Sequence, residues 1–554
     1  MDDDVKEKHI ASHKGEQTTA LCIDTIKLDK QALVFCASKR AAESQAEKVA
    51  KQSKELESGE SIAEKALHAL SQPTHQCKRL AYCLKRGIAF HHAGLPSAQR
   101  ELIETEFRKG TIRIICSTPT LAAGLDLPAF RTIIRDHKRF SGRGMTPIPV
   151  LEYLQMAGRA GRPGQEDYGE AILSAGSPEE VERLTETYIH GIVEDIYSKL
   201  AVEPVLRTYI LSLVATSIIT TRQELNDFFR ETFYARQFGN MRQIETVLAK
   251  MVSLLRKWGF LEHEKDDSDG ETGQASDMFV TASELTSAKR EKQGDETLIA
   301  TPLGKRVSEI YLDPLTAHVL LEGMKSLEAN KKPKEDEEQA FAVQHLISCS
   351  LEMRPLLRMR VSTTELIENK LSEQRTWLVE EADFYEYSQD DYEDTILTAC
   401  FLNDWAGEAS EQYLLDKYGI RPGEITVKLQ RSEWLLYACE ELARVTKKKE
   451  LLAVIRHISM RTKHGVRSEL IPLLQFKGIG RSRARKLHAH GMRTIADVKN
   501  IHGQSLSRII GPKTARALKE QAGEDVDERE FSEEKIVTDK PERTKNKQTS
   551  LGQF

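Results

Sequence analysis

The stretch QMAGRAGRPG, residues 155–164, sets Arg159 and Arg162 three positions apart among glycines and an alanine, with Gln155 one turn earlier. Each glycine costs a helix backbone entropy, so a plain solvated helix is a poor use of this composition. Guanidinium is permanently charged, and its planar fork matches phosphate oxygens. Two forks beside bare backbone suit phosphate chemistry. Set across a gap between domains, they would neutralise charge developing on a transferred γ-phosphoryl group.

Such a pair needs a rigid frame, and residues 31 to about 175 supply an alternating pattern. QALVFCAS, TIRIICST and RTIIRDH are short β-branched runs, while KRAAESQAEKVAKQ and VLEYLQMAGRAG are periodic as helices. Alternation of this kind predicts a parallel α/β sheet, here over residues 31–190. Residues 195–312 change to helices followed by two short strands, which predicts a winged helix with a flexible insert at 263–297. Residues 313–460 read as helical, 466–523 as a compact helix-hairpin-helix, and 524–554 as a disordered tail. Residues 1–30 read as a linker remnant.

Composition bounds the partners. The 554 residues are 40% hydrophobic and 30% charged, with a net charge of -5, so a nucleic-acid partner must be read from local patches. The eight cysteines include no C-x-x-C pair, which predicts reduced thiols in a cytoplasmic protein and no metal site. No apolar run is long enough to span a bilayer.

The ordered set LVFCASKRAAE, FHHAGLPSAQRELIETEFRKGTIRIICSTPTLAAGLDLPA and QMAGRAGRPG resembles motifs IV, IVa, V and VI of superfamily 2 helicases. More narrowly it resembles the Ski-type branch and the archaeal Hjm-like repair helicases. The resemblance implies that Arg159, Arg162 and Gln155 face the γ-phosphate of ATP, with Gly124 and Asp126 near the nucleotide. Asp126 departs from the asparagine common in that family, and a carboxylate there repels phosphate unless a cation offsets it. Thr118 and Thr120 are implied contacts to the DNA backbone. His92, in HHAGL, is implied to lie against the tracking strand, although a histidine there is as readily a packing residue.

Two extended runs flank a Gly-rich turn in RTIIRDHKRFSGRGMTPIPVLEY, which predicts a β-hairpin. In the resembled family a hairpin here wedges the duplex apart, with Phe140 and Arg143 as tip candidates; the plain alternative is a connecting loop. The helix EITVKLQRSEWLLYACEELARV resembles the family's ratchet helix, which implies that Trp434 stacks on bases. The family arginine two turns before it aligns with Val427, leaving Lys428 or Arg431 as substitutes. In FKGIGRSRARKLHAHGMRTIADV, Gly478 and Gly480 allow backbone N–H groups close to a phosphate, and Arg483 and Lys486 add charge. The final QTSLGQF spaces Gln548, Leu551 and Phe554 as in a peptide for the sliding clamp PCNA.

No G-x-x-x-x-G-K-[ST] loop and no D-E-x-H occur in the sequence. These residues alone are therefore expected to bind single-stranded and branched DNA but to hydrolyse ATP negligibly. ATP and Mg²⁺ would be held mostly by a first RecA-like domain, encoded separately or lost. The favoured expectation is part of an ATP-dependent 3′–5′ DNA helicase acting on forks in replication-linked repair. A non-enzymatic, clamp-tethered DNA-binding adaptor and a Ski-type RNA helicase fragment are the alternatives.

Overall fold

A computed structural model describes residues 10, 16–70, 72–124, 127–141, 144–161, 166–262, 296–329, 336–374 and 389–524. Arg162, Asp126, Arg143, Gln548, Leu551 and Phe554 lie outside the described residues. The chain divides into two compact units: one runs through Trp405 and resumes over Ala409–Lys463, and the other joins Ala406–Glu408 to the residues from His464 onward.

In the first unit, five parallel strands form one sheet: β1 (Ala32–Phe35), β2 (Ile88–His91), β3 (Ile114–Ser117), β4 (Arg131–Ile134) and β7 (Glu170–Leu173), in the order β2-β3-β1-β4-β7. The first four are buried along their whole length, as expected of strands covered on both faces. Helices α1 (Gln17–Lys27), α2 (Lys39–Lys51), α3 (Gly59–Leu67), α4 (His75–Leu84), α5 (Ser97–Arg108), α6 (Thr120–Gly124) and α7 (Val150–Ala157) accompany them. The linker expected over residues 1–30 is corrected by α1, which buries Cys22 and Ile23 in the sheet's core. Arg131 on β4 is fully buried and donates to Glu170, Asp24, Thr25 and the carbonyl of Leu21, so α1 is tied to the sheet by hydrogen bonds as well.

The expected hairpin forms. Strands β5 (Lys138–Ser141) and β6 (Gly144–Pro147) pair antiparallel with Phe140 opposite Met145. Helices Glu203–Ala215, Arg222–Arg230, Met241–Lys257 and Pro302–Glu309 follow, joined by isolated bridges Thr221↔Thr297 and Leu261↔Ala300. Glu296 and Thr297 are therefore paired structure, not the end of a loose insert. The remaining residues of that expected insert, 263–295, lie outside the described residues.

A helical region ends in the 24-residue helix Pro422–Val445 and the helix Lys449–His464. The second unit holds four short helices, Arg481–Ala489, Ile495–Asn500, Gly503–Ile510 and Pro512–Gln521, around their own core of Leu473, Leu487, Leu506 and Leu518. All eight cysteines are buried free thiols. No described helix is long and apolar enough to cross a membrane.

Candidate nucleic-acid interface

Parallel sheets present ligand crevices beyond the carboxyl ends of their strands. Here the segments after β1 (Ser38, Lys39, Arg40), β2 (Ala93) and β3 (Thr118, Thr120) meet α7 (Leu151, Glu152, Gln155) and the helical region (Pro355, Arg360, Arg421) around a cleft of about 1300 Å³. The structure thus brings Thr118, Thr120 and Gln155 to one surface. The Thr118 and Thr120 hydroxyls lie 3.0 Å apart, and Thr120 is exposed. Arg40 and Arg360 are exposed lining residues that the motifs did not single out. Their signal was local: Arg40 opens the helix that follows the first strand, and Arg360 ends the basic run RPLLRMR.

The cleft wall is held by one buried carboxylate. Glu43 accepts from Arg79 Nη1 at 2.6 Å, His92 Nε2 at 3.1 Å, Arg421 Nε at 3.1 Å and Gln76 Nε2 at 3.2 Å. Burial raises its pKa, but the hydrogen bond from His92 and the charges of Arg421 and Arg79 prevail and hold it down at about 2. His92 is itself buried, which lowers its pKa. Its tautomer follows from its neighbours: the Gly94 N–H donates to Nδ1 at 3.1 Å, so Nε2 carries the hydrogen given to Glu43. This geometry corrects the strand contact expected of His92. The ring is 1% exposed and positions the wall from behind.

The same joint seats the long helix. Gly423 donates to the Gly94 carbonyl at 3.1 Å, and a Cβ on Gly423 would stand 2.4 Å from the Leu95 carbonyl oxygen, so only glycine permits this approach. Glu424 accepts from the Arg421 N–H at 2.9 Å and pairs with Lys39. Farther along the helix, Val427, Gln430, Trp434 and Tyr437 fall at spacings of three and four residues on its open side; Trp434 is half-buried and the other three are exposed. The Trp434 N–H donates to the Ile310 carbonyl at 3.3 Å, which fixes the indole while leaving part of it open. Lys428 and Arg431 depart from expectation. Lys428 is 6% exposed, and its ammonium donates to the carbonyls of Met353 and Pro355, while Arg431 donates to that of Arg354. Both brace the loop that carries Arg360. Burial, with Arg431 nearby, depresses the Lys428 pKa to about 8.

At the end of α7, the Arg159 guanidinium donates to the Ala122 carbonyl of α6 at 2.7 Å, next to Gly124 of the same helix. Backbone bonds from Ala129 to Arg159 (2.9 Å) and from Gly161 to Ala129 (2.7 Å) fix that end. The chain crosses Gly161 closely at Gly169, where a Cβ on Gly169 would stand 2.2 Å from the Gly161 nitrogen. Gln155 is exposed in the cleft and Arg159 is half-buried one turn on. Among the described residues no group of three or more His, Cys, Asp or Glu side chains is placed to hold a metal ion.

In the second unit, Gly480 is the N-cap of the helix Arg481–Ala489. Gly478, Gly480, Arg483 and Lys486 are all exposed there. Arg485, by contrast, is locked to Glu408 and Glu469.

Comparison with known proteins agrees. The model for the helicase conserved C-terminal domain matches residues 14–164, that for archaeal helicase domain 4 matches 341–465, and that for a SAM-like helix-hairpin-helix tandem matches 470–524. The ATP-dependent DNA helicase Hel308 of Methanococcus vannielii is 36% identical over 527 residues, covering 93% of this chain and 69% of that relative. The chain belongs to the Hel308 helicase family. Hel308 proteins of Pyrococcus abyssi (33% over 512 residues, 91% and 66% covered) and Methanocella arvoryzae (34% over 537 residues, 94% and 67% covered) are similar to the same extent. The chain spans about two thirds of the length of these Hel308 relatives.

Proposed function

We propose that this chain grips and advances one DNA strand as the second motor lobe, tracking helix and helix-hairpin-helix of an ATP-dependent 3′–5′ DNA helicase working on forked or branched DNA. The observation that carries the reading is the cleft, where Thr118, Thr120, Arg40 and Arg360 line one wall system, continued by the open side of the Pro422–Val445 helix. Arg421 and Trp434 are thirteen positions apart, about 20 Å along the helix, so a strand leaving the cleft along that side passes the indole. Stacking on Trp434 and Tyr437 gives grip without sequence preference.

ATP, when bound to a phosphate-cradling lobe, supplies the free energy for opening and closing the motor. In this reading Arg159, Arg162 and Gln155 would hold its γ-phosphate, with Gly124 and Asp126 near the nucleotide, and Arg159 would neutralise charge on the phosphoryl oxygens. Mg²⁺ belongs mostly to the other lobe. The 554 residues contain no G-x-x-x-x-G-K-[ST] loop, so a polypeptide of these residues alone binds DNA and turns over ATP negligibly. Phe140 and Arg143 divide the duplex at the β5–β6 turn, and the helix-hairpin-helix adds phosphate contacts through Gly478, Gly480, Arg483 and Lys486. The spacing of Gln548, Leu551 and Phe554 supports tethering to a sliding clamp.

Fluorescence anisotropy with a labelled single-stranded oligonucleotide tests the cleft. Arg40→Ala with Arg360→Ala is expected to weaken binding at least tenfold. Equal affinity of the variant and the unaltered chain refutes a strand in the cleft, and tighter binding of RNA than DNA favours the RNA-helicase alternative.

A further inference from the structure

The helix Pro302–Glu309 ends on a residue that its geometry does not favour. The Leu312 N–H donates to the Val307 carbonyl at 3.2 Å and the Tyr311 N–H to the Ser308 carbonyl at 3.1 Å. These paired bonds close a helix through one left-handed residue, usually glycine. Here that residue is Tyr311, at φ +56°. A Cβ crowds the following carbonyl in this conformation, and a bulky side chain there is a marked outlier. The other described non-glycine residues with positive φ, Asp29, Ser217, Glu408 and Lys447, are all polar. Tyr311 recovers little by packing, because it is 84% exposed. The fold therefore holds an aromatic ring in water at a position better suited to glycine.

Backbone strain of this kind persists where the surroundings over-determine it, and it clusters at ligand clamps. Tyr311 is fixed from both sides. Leu312 is buried, the Asp313 N–H donates to Glu352 at 3.0 Å, and the Asp313 carboxylate accepts from the buried Arg207 Nε at 2.8 Å. On the helix side, Arg306 donates to the Tyr437 hydroxyl at 3.1 Å and to Glu441 at 2.9 Å, which ties the short helix to the Pro422–Val445 helix. The decisive contact lies between these anchors. The carbonyl that accepts the Trp434 indole N–H belongs to Ile310, the residue immediately before Tyr311. One hydrogen bond thus sets an exposed phenol ring beside a partly open indole, each carried by a different helix. We propose that Tyr311 is a second stacking ring of the strand grip, paired with Trp434, and that its ligand is a base of single-stranded DNA. A flat ring accepts any base, so the contact adds hold without sequence preference. The proposal rests on the strand-gripping reading of the long helix and adds to it a contact from outside that helix.

The test uses the full chain as the unaltered protein, Tyr311→Gly and Tyr311→Phe. Anisotropy measures binding to a labelled oligodeoxyadenosine and to an abasic strand of the same length, and urea unfolding measures stability. Tyr311→Gly should weaken binding of the base-bearing strand at least about fivefold, the lower end of what losing one aromatic–base stack gives. Its affinity for the abasic strand should not change. Its unfolding midpoint should hold or rise, because glycine takes this φ without a Cβ clash. Tyr311→Phe keeps the ring and should bind both strands as the unaltered chain does. The proposal is overturned if Tyr311→Gly binds the base-bearing strand normally or weakens on both strands equally. It is equally overturned if Tyr311→Phe loses as much as Tyr311→Gly, or if the glycine variant unfolds at lower urea, which would make the ring a packing residue. Failure of the strand-gripping reading shows separately, as absent single-strand binding by the unaltered chain, and removes the proposal with it.

Discussion

Around the cleft, Lys39 meets Glu424, Arg79 and Arg421 meet Glu43, and Arg139 meets Glu152 at 2.7 Å. In the helix-hairpin-helix unit, Lys477, Arg483, Lys486, Arg493 and Lys513 instead stand exposed on the surface. The first arrangement uses most of its positive charge to hold a shape and leaves a few guanidinium groups for a ligand. The second ties down Arg485 but leaves these other cations exposed at the surface. In the proposed function, positioning of a strand and general attraction to phosphate then fall to different parts of the molecule.

The contrast is broken most severely at Glu43. Glu43→Ala leaves Arg421 and His92 without their shared acceptor while Arg79 keeps Glu47, and the expected loss is about 1–3 kcal/mol of stability for each donor left unsatisfied, read by urea unfolding. A change within about 0.5 kcal/mol would show the joint to be ornamental. Next in size, Trp434→Ala should weaken single-strand affinity by roughly 1–3 kcal/mol. Unchanged affinity would return the indole to a purely packing role beside Ile310. A smaller effect is expected from Arg483→Ala with Lys486→Ala, which should lower the slope of log affinity against log salt by roughly 0.7 per charge. If the cleft variant shifts that slope more than this pair does, the division of labour is wrong.

The smallest effect concerns pH. His92 has its pKa lowered by burial, so the unfolded chain takes up the proton first, and stability should begin to fall as pH drops below the ordinary histidine value of 6.5. Glu43, held at about 2 against an ordinary 4.5, contributes stability that is complete above 4.5 and lost as pH falls toward 2. His92→Gln keeps a donor to Glu43 and should flatten only the upper part of this profile, followed as melting temperature against pH.

The sheet, the hairpin and the long helix were legible because each rests on local pattern: β-branched runs, a Gly-rich turn and helical periodicity. Thr118, Thr120 and Gln155 were legible as motif positions and do share the cleft. What stayed hidden depends on tertiary pairing. Nothing in HHAGL announces that His92 turns inward to a glutamate 49 residues away, and nothing near Lys428 announces the carbonyls of Met353 and Pro355 that occupy it. The glycines of QMAGRAGRPG read as room for a phosphate, whereas Gly161 takes a left-handed turn and Gly169, outside the motif, makes room for it. Helix α1 was missed because a single amphipathic turn pattern near a polar terminus resembles a linker until Arg131 reaches across to it.

Photo-crosslinking from two positions on one strand tests the central claim most directly. A crosslinking residue placed at Arg360 in one variant and at Trp434 in another is challenged with the same single-stranded oligonucleotide. Both should react with it, at nucleotides displaced in one direction along the strand, if the strand runs from the cleft along the open helix side as proposed. Reaction at neither position, with full binding retained through the helix-hairpin-helix unit, would contradict the account.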